Sequence, residues 1–488
     1  MVASSGVVFP LSSDDGTSRS TSALGRAVVA DALRAADPIG ARAAEQETHW
    51  RGDYVRHFHR LIEAGLSSGT AARRSAADGL TSLHDRMRVI TPDRGEIGLR
   101  SLFADKPDAA FETATVVGGG APEAELTLPY QGNRLGGDDL RRRLDAWVAA
   151  GVIEPSCADA VRLVMANPDW LRLADRRVVV LGAGAEMGPL RSLLRWGAEV
   201  VAVDLPRRGI WSGLLDTARS SAGTLHVPMP LGAGEISAEL AGADLLHQLP
   251  ELAGWLGGLD GPLVLGNYVY ADGATNVRVS VAVDALTAHL TAERDDIALA
   301  FLATPTDAFA VPADAVAHSE RAYGSSSLLR TLRQPIRLLS AGKLLRRNYA
   351  PGADPGICDS LVPQQGPNYA LAKRLQRWRA AVAREAGTTV SFKVAPPTRT
   401  RSVIKNRALA AAYAGAHVFD VEVFEPATSN TLMAALLVHD LHNPLPLREH
   451  VWEEEAFGAA HGGLWRTAYS PRSALGLAAL IGLGGARG

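Results

Sequence analysis

Two residues suited to proton transfer at a carbonyl stand four positions apart, in the run Tyr369-Ala370-Leu371-Ala372-Lys373. On a helix that spacing puts both on one face. Leu375, Trp378 and Val382 continue at helical spacing, so a helix is expected there. A nearby ammonium favours the phenolate and brings a Tyr pKa of about 10 toward neutrality, as a general acid or base at a carbonyl or carbinol requires. Lysine is scarce, with only Lys106, Lys343, Lys373, Lys393 and Lys405 in the chain, so the pair is informative. The competing reading is a solvated lysine one turn after a packed tyrosine.

A second constellation suits a nucleotide. In Gly182-Ala183-Gly184-Ala185-Glu186-Met187-Gly188, small residues at 182 and 184 let the backbone bend sharply and approach a pyrophosphate. Gly188 permits close helix-to-strand packing. The carboxylate of Glu186 must point away from any phosphate bound there. Asp204, followed by Leu205, lies about 20 residues on, where a carboxylate reads a ribose diol. That carboxylate favours NAD over NADP by repelling a 2′-phosphate, whereas Arg207 and Arg208 would attract one. The same turn and acid also suit S-adenosylmethionine in a methyltransferase.

The elements that must position these groups change texture along the chain. Val178 to Leu181 is a short, wholly apolar strand of the kind buried in a parallel sheet. A helical run from Pro189 to Trp196 and a strand from Glu199 to Asp204 complete a parallel crossover. Further strands are expected at Leu225 to Val227, Leu263 to Leu265, Ile297 to Leu302, Thr389 to Val394 and His417 to Val423. The fold class is therefore α/β, a doubly wound parallel sheet of Rossmann type, with a mostly helical N-terminal region and a helical insertion.

The expected organisation is a flexible arm over 1–22, a mostly helical domain over 23–173, the nucleotide-binding domain over 174–440 with an insertion at 307–363, and a covering or packing segment over 441–488. The 488 residues carry a net charge of -2, so no global field draws the chain to nucleic acid or a membrane. Cys157 and Cys358 stand alone, and no secretory leader or membrane span is recognisable. A cytoplasmic protein is expected, as a single chain or a homo-oligomer.

Residues 175 to 440 resemble the short-chain dehydrogenase/reductase family in their Gly-rich turn, the Tyr369 and Lys373 pair, and the loop Ala395-Pro396-Pro397-Thr398-Arg399-Thr400 after the following strand. The resemblance implies that Tyr369 exchanges the substrate proton, Lys373 holds the nicotinamide ribose and lowers the Tyr pKa, and Thr304 orients the carbonyl. It implies cofactor contacts at Gly182, Gly184, Glu186, Met187, Gly188, Asp204, Leu205, Asn267, Pro396 and Thr398. The family's Asn-Ala-Gly-type element appears as Gly266-Asn267-Tyr268, and its helical Asn falls near Ala282. The implied function is an NAD(P)-dependent oxidoreductase interconverting a ketone and a secondary alcohol. A methyltransferase, a non-redox dehydratase or epimerase holding NAD, and a scaffold protein stay open.

The insertion carries Tyr323-Gly324-Ser325-Ser326-Ser327 with Arg330, Arg333, Arg337, Arg346 and Arg347, which suit an anionic or carrier-bound substrate or simply a solvated face. His49, Asp53 and His57, and separately His439, Asp440, His442 and His461, have metal-like spacings. Their aromatic neighbours Trp50, Tyr54 and Phe58 favour packing at the first group, and no metal is assigned.

Overall fold

The computed structural model describes residues 5–12, 16–105, 107–325 and 328–485. Lys106, Ser326, Ser327 and the side chain of Arg330 lie outside the described residues. At the centre is a seven-stranded sheet, in spatial order Val390–Val394, Ile297–Ala303, Leu263–Asn267, Arg177–Leu181, Glu199–Val203, Thr224–Pro230 and Phe111–Val117. The first six strands run parallel. Numbered along the chain they read 6-5-4-1-2-3, the doubly wound Rossmann order. Phe111–Val117 closes the far edge antiparallel to Thr224–Pro230.

Alternate residues of each strand feed opposite layers. Val179 and Leu181 face a core shared with the helices Leu249–Gly257, Ala274–Glu293 and Pro367–Glu385. Val178 and Val180 face the helices Leu190–Trp196, Arg208–Ser220 and Pro426–His442. Continuous apolar strands are the sequence trace of this two-sided burial. The order reverses between Arg177–Leu181 and Leu263–Asn267, and open α/β sheets bind ligands in the crevice at that point.

The N-terminal helices Thr21–Leu33, Trp50–Leu66 and Gly69–Arg86 extend the first core, contributing Val28, Tyr54, Phe58 and Leu83 to it. Gly79 sits so close to the Trp378 ring that a Cβ there would lie 2.5 Å from it. The expected boundary at 173 runs through shared structure, because Phe111–Val117 belongs to the central sheet. Apolar spacing marks a buried face without naming what covers it. The expected loose arm also needs correction. Gly6–Val8 pairs antiparallel with Arg88–Thr91, and Val7, Val8 and Phe9 are buried. The polar composition belongs to the flanks of that apolar triplet.

The expected strand at His417 to Val423 is instead a short 3-10 helix, Ala416–Phe419, ended by Asp420 in the left-handed region at φ 58. The insertion holds the helices Ala313–Ser325 and Leu328–Leu339, with Ala308–Val311 paired antiparallel to Gly356–Asp359. Among the described residues no helix is long and apolar enough to cross a membrane.

Candidate active site

The helix Pro367–Glu385 starts at the C-terminal end of the Ile297–Ala303 strand and carries Tyr369 in its first turn and Lys373 in its second. Pro367 at its first position needs no N–H partner, which favours a start there. Thr304, just past the strand, stands beside the Tyr369 phenol and opposes the rise of its pKa. The Thr304 and Thr306 hydroxyls are 2.8 Å apart, and Gln365 Nε2 donates to Thr306 at 2.6 Å. The Tyr270 ring meets the Tyr369 ring edge-on at 6.3 Å. Three groups named from the sequence, Tyr369, Lys373 and Thr304, thus gather at one strand end.

Lys373 does not act as expected on the phenol. Burial raises the Tyr369 pKa above its ordinary value, with the Thr304 hydrogen bond opposing the rise. Lys373 is itself half-buried, and its desolvation lowers it to about 8. Its ammonium donates to the Leu302 carbonyl and to Gln376 Oε1, both at 3.2 Å. Gln376 Nε2 donates to Asn267 Oδ1 at 3.1 Å. A lysine is a pure donor, so this chain has one direction. Sequence reasoning missed Gln376, although it lies three residues after Lys373 on the same face. Ala282, where the family places its Asn, is buried without a polar group to contribute.

At the Gly-rich turn, Gly182 has φ 85, and a Cβ there would lie 3.0 Å from the Tyr268 backbone. Asp204 accepts from the amides of Gly184 at 2.8 Å and Leu205 at 2.7 Å. Burial raises its pKa, with those two bonds opposing. A Cβ on Gly184 would lie 3.2 Å from the carboxylate, so the glycine keeps open the space over that acid. Glu186 turns away, as a phosphate site demands, accepting from Arg401 N at 2.8 Å. Met187 packs against the second core.

The amides of Gly182 and Ala183 donate to the Val203 carbonyl, and those of Ala185 and Gly188 donate within the turn. A pyrophosphate would therefore meet Glu186 and Met187 amides rather than the whole loop. The acid and the bare glycine over it leave room for a ribose, whether of a dinucleotide or of S-adenosylmethionine.

Thr398 does not face the cleft. Its hydroxyl is buried, donating to the Pro396 carbonyl at 2.9 Å and lying 2.6 Å from Ser429 Oγ. Three insertion arginines make local contacts: Arg333 and Arg347 lie over the Tyr323 ring, 3.9 and 4.4 Å from its centre, and Arg337 donates to the Leu345 carbonyl.

The metal-like groups pair within the protein. His57 Nε2 lies 3.1 Å from Glu47, and His439 Nδ1 lies 3.0 Å from Asp440, which also holds Lys393 at 3.1 Å. His461 Nε2 lies 2.9 Å from Glu154.

The phenol-bearing helix is clamped below the site by buried ions. Asp307 receives Arg374 and Arg377, Arg377 also binds Glu455 through two nitrogens, and Arg384 reaches Glu454. Buried charges are tolerated when paired and hydrogen-bonded in this way.

No family model and no curated protein matches the chain. A solved structure that it is similar to is a thiolation-reductase di-domain from an archaeal non-ribosomal peptide synthetase, with 12% identity and a TM-score of 0.27. The match covers 49% of this chain and 48% of that one. The chain spans about half the length of that di-domain, and so slight a likeness says nothing of activity.

Proposed function

We propose that the chain is an NAD(P)-dependent oxidoreductase that interconverts a ketone and a secondary alcohol. The observation that carries this reading is the Tyr369 phenol beside Thr304 at the end of the Ile297–Ala303 strand, with Lys373 on the same helix bound to the Leu302 carbonyl. A reduced nicotinamide dinucleotide, once bound, would supply hydride chemistry at the carbonyl carbon. Tyr369, kept protonated at neutral pH by its raised pKa, gives its proton to the carbonyl oxygen. In oxidation the proton returns to Tyr369 by the same path. Lys373 would hold the nicotinamide ribose from its place at the Leu302 carbonyl, and Asp204 would read the adenosine ribose, which favours NAD.

The test is Tyr369→Phe, assayed for turnover with NADH and NADPH over a panel of ketones and for dinucleotide binding by calorimetry. Turnover should fall by about 10²-fold or more with binding unchanged. Undiminished turnover overturns the assignment, and binding of S-adenosylmethionine with neither dinucleotide replaces it with methyl transfer.

A further inference from the structure

Beside Thr306 lies a half-open, mostly apolar cavity of about 70 Å³. Thr306 and Ser360 stand at one end, and the remaining wall includes Val362, Pro397, Val421 and Leu464. The roof is made by the helices Arg407–Ala414 and Pro471–Gly485, which contribute Ala412, Leu475 and Ala478. They cross so closely that a Cβ on Gly482 would lie 2.0 Å from the Ala411 carbonyl oxygen. None of the lining residues carries a charge. Thr306 belongs at once to this wall and to the hydroxyl pair with Thr304, whose neighbour is the Tyr369 phenol.

We propose that this cavity takes a short apolar tail of the substrate, so that the substrate is a small alkyl ketone or the matching secondary alcohol. This rests on the reading of Tyr369 as proton donor. A wall without charge disfavours a carboxylate or a phosphate, because burying a charge without a counter-charge is costly. It welcomes methylenes, each of which gains about fourfold in affinity when buried, from roughly 0.8 kcal/mol. The volume is about half of the roughly 150 Å³ cavity that binds benzene. The gain therefore stops after a few carbons.

The test measures binding of the straight-chain 2-alkanones from butanone to decanone by calorimetry at saturating dinucleotide, beside their turnover. Affinity is expected to climb about three- to fourfold per methylene over the first few carbons and then level off. Leu475→Ala, which enlarges the cavity, should move the plateau to longer ketones. Ala478→Val, which fills it, should move the plateau to shorter ones, with Ala412→Val as the alternative if that variant unfolds. No ketone binding, a flat series, or a plateau that neither kind of variant moves overturns the proposal. Binding with a movable plateau but no turnover upholds the cavity and removes the redox reading. Turnover without dependence on chain length does the reverse.

Discussion

Thr306 Oγ1 lies 2.8 Å from Thr304 Oγ1 while accepting from the Gln365 amide at 2.6 Å. An amide nitrogen only donates, so the Thr306 proton is free to point at Thr304, and the Thr304 proton at the phenol oxygen. The Tyr369 proton is then left for whatever stands in the crevice. Thr304→Val breaks the chain next to the phenol and should lower kcat by about 10²-fold, as loss of one aimed donor does. Thr304→Ser should keep most of the rate. Single-turnover kinetics of the two variants check this, and equal rates in both would show that the hydroxyl is idle.

Lys373 offers a pH test whose sign is fixed. Burial lowers its pKa to about 8 from the ordinary 10.5. Between those values the unfolded chain binds a proton that the folded one does not, so stability rises with pH across that window. Lys373→Met should abolish the rise and leave the protein more stable at neutral pH. It should also weaken dinucleotide binding. Urea melts at pH 7 and pH 10 on both proteins read the first effect, and calorimetry reads the second.

Glu154 titrates in the opposite limb. Burial alone would raise its pKa, but hydrogen bonds from His461 and Arg466 hold it down to about 2. The unfolded carboxyl, at 4.5, binds a proton that the folded one refuses between those values. This contribution to stability is present above pH 4.5 and is lost as pH falls toward 2. Glu154→Gln should cost about 3 kcal/mol at neutral pH by leaving Arg466 underpaired in the interior. It should also flatten the acid limb of the stability curve. Denaturation at pH 7 and at pH 3 measures both.

Gly79→Ala places a methyl 2.5 Å from the Trp378 ring, where nothing else can yield cheaply. A loss of about 1–3 kcal/mol is expected. Trp378 lies on the helix that carries Tyr369, so turnover should fall as well. Adding Trp378→Leu should restore part of both, and a double variant no better than the single one would refute the steric cause.

The parallel sheet was legible because strands buried on both faces must be apolar throughout, as Val178 to Leu181 and Leu263 to Leu265 are. The Tyr369 and Lys373 pair was legible because a helix fixes what four residues of separation mean. What Lys373 binds was not, since the Leu302 carbonyl and Gln376 reach it through tertiary placement. Thr398 matched the loop that ought to face a nicotinamide, yet its hydroxyl found Ser429 on Pro426–His442. No local pattern encodes that neighbour. Gly6–Val8 was hidden for a related reason: three apolar residues among polar ones become a strand only when another strand's edge is there to receive them.

Arg377 and Arg384 are translated well before Glu454 and Glu455, the carboxylates that neutralise them. A nascent chain that has reached only His442 holds these guanidinium groups beside an apolar interior with two of their three carboxylate partners, Glu454 and Glu455, still to come. Such a helix has no reason to seat itself finally, and its first turn carries the phenol. Final seating of that helix is thus a late event in the life of the polypeptide, timed by the arrival of two consecutive glutamates.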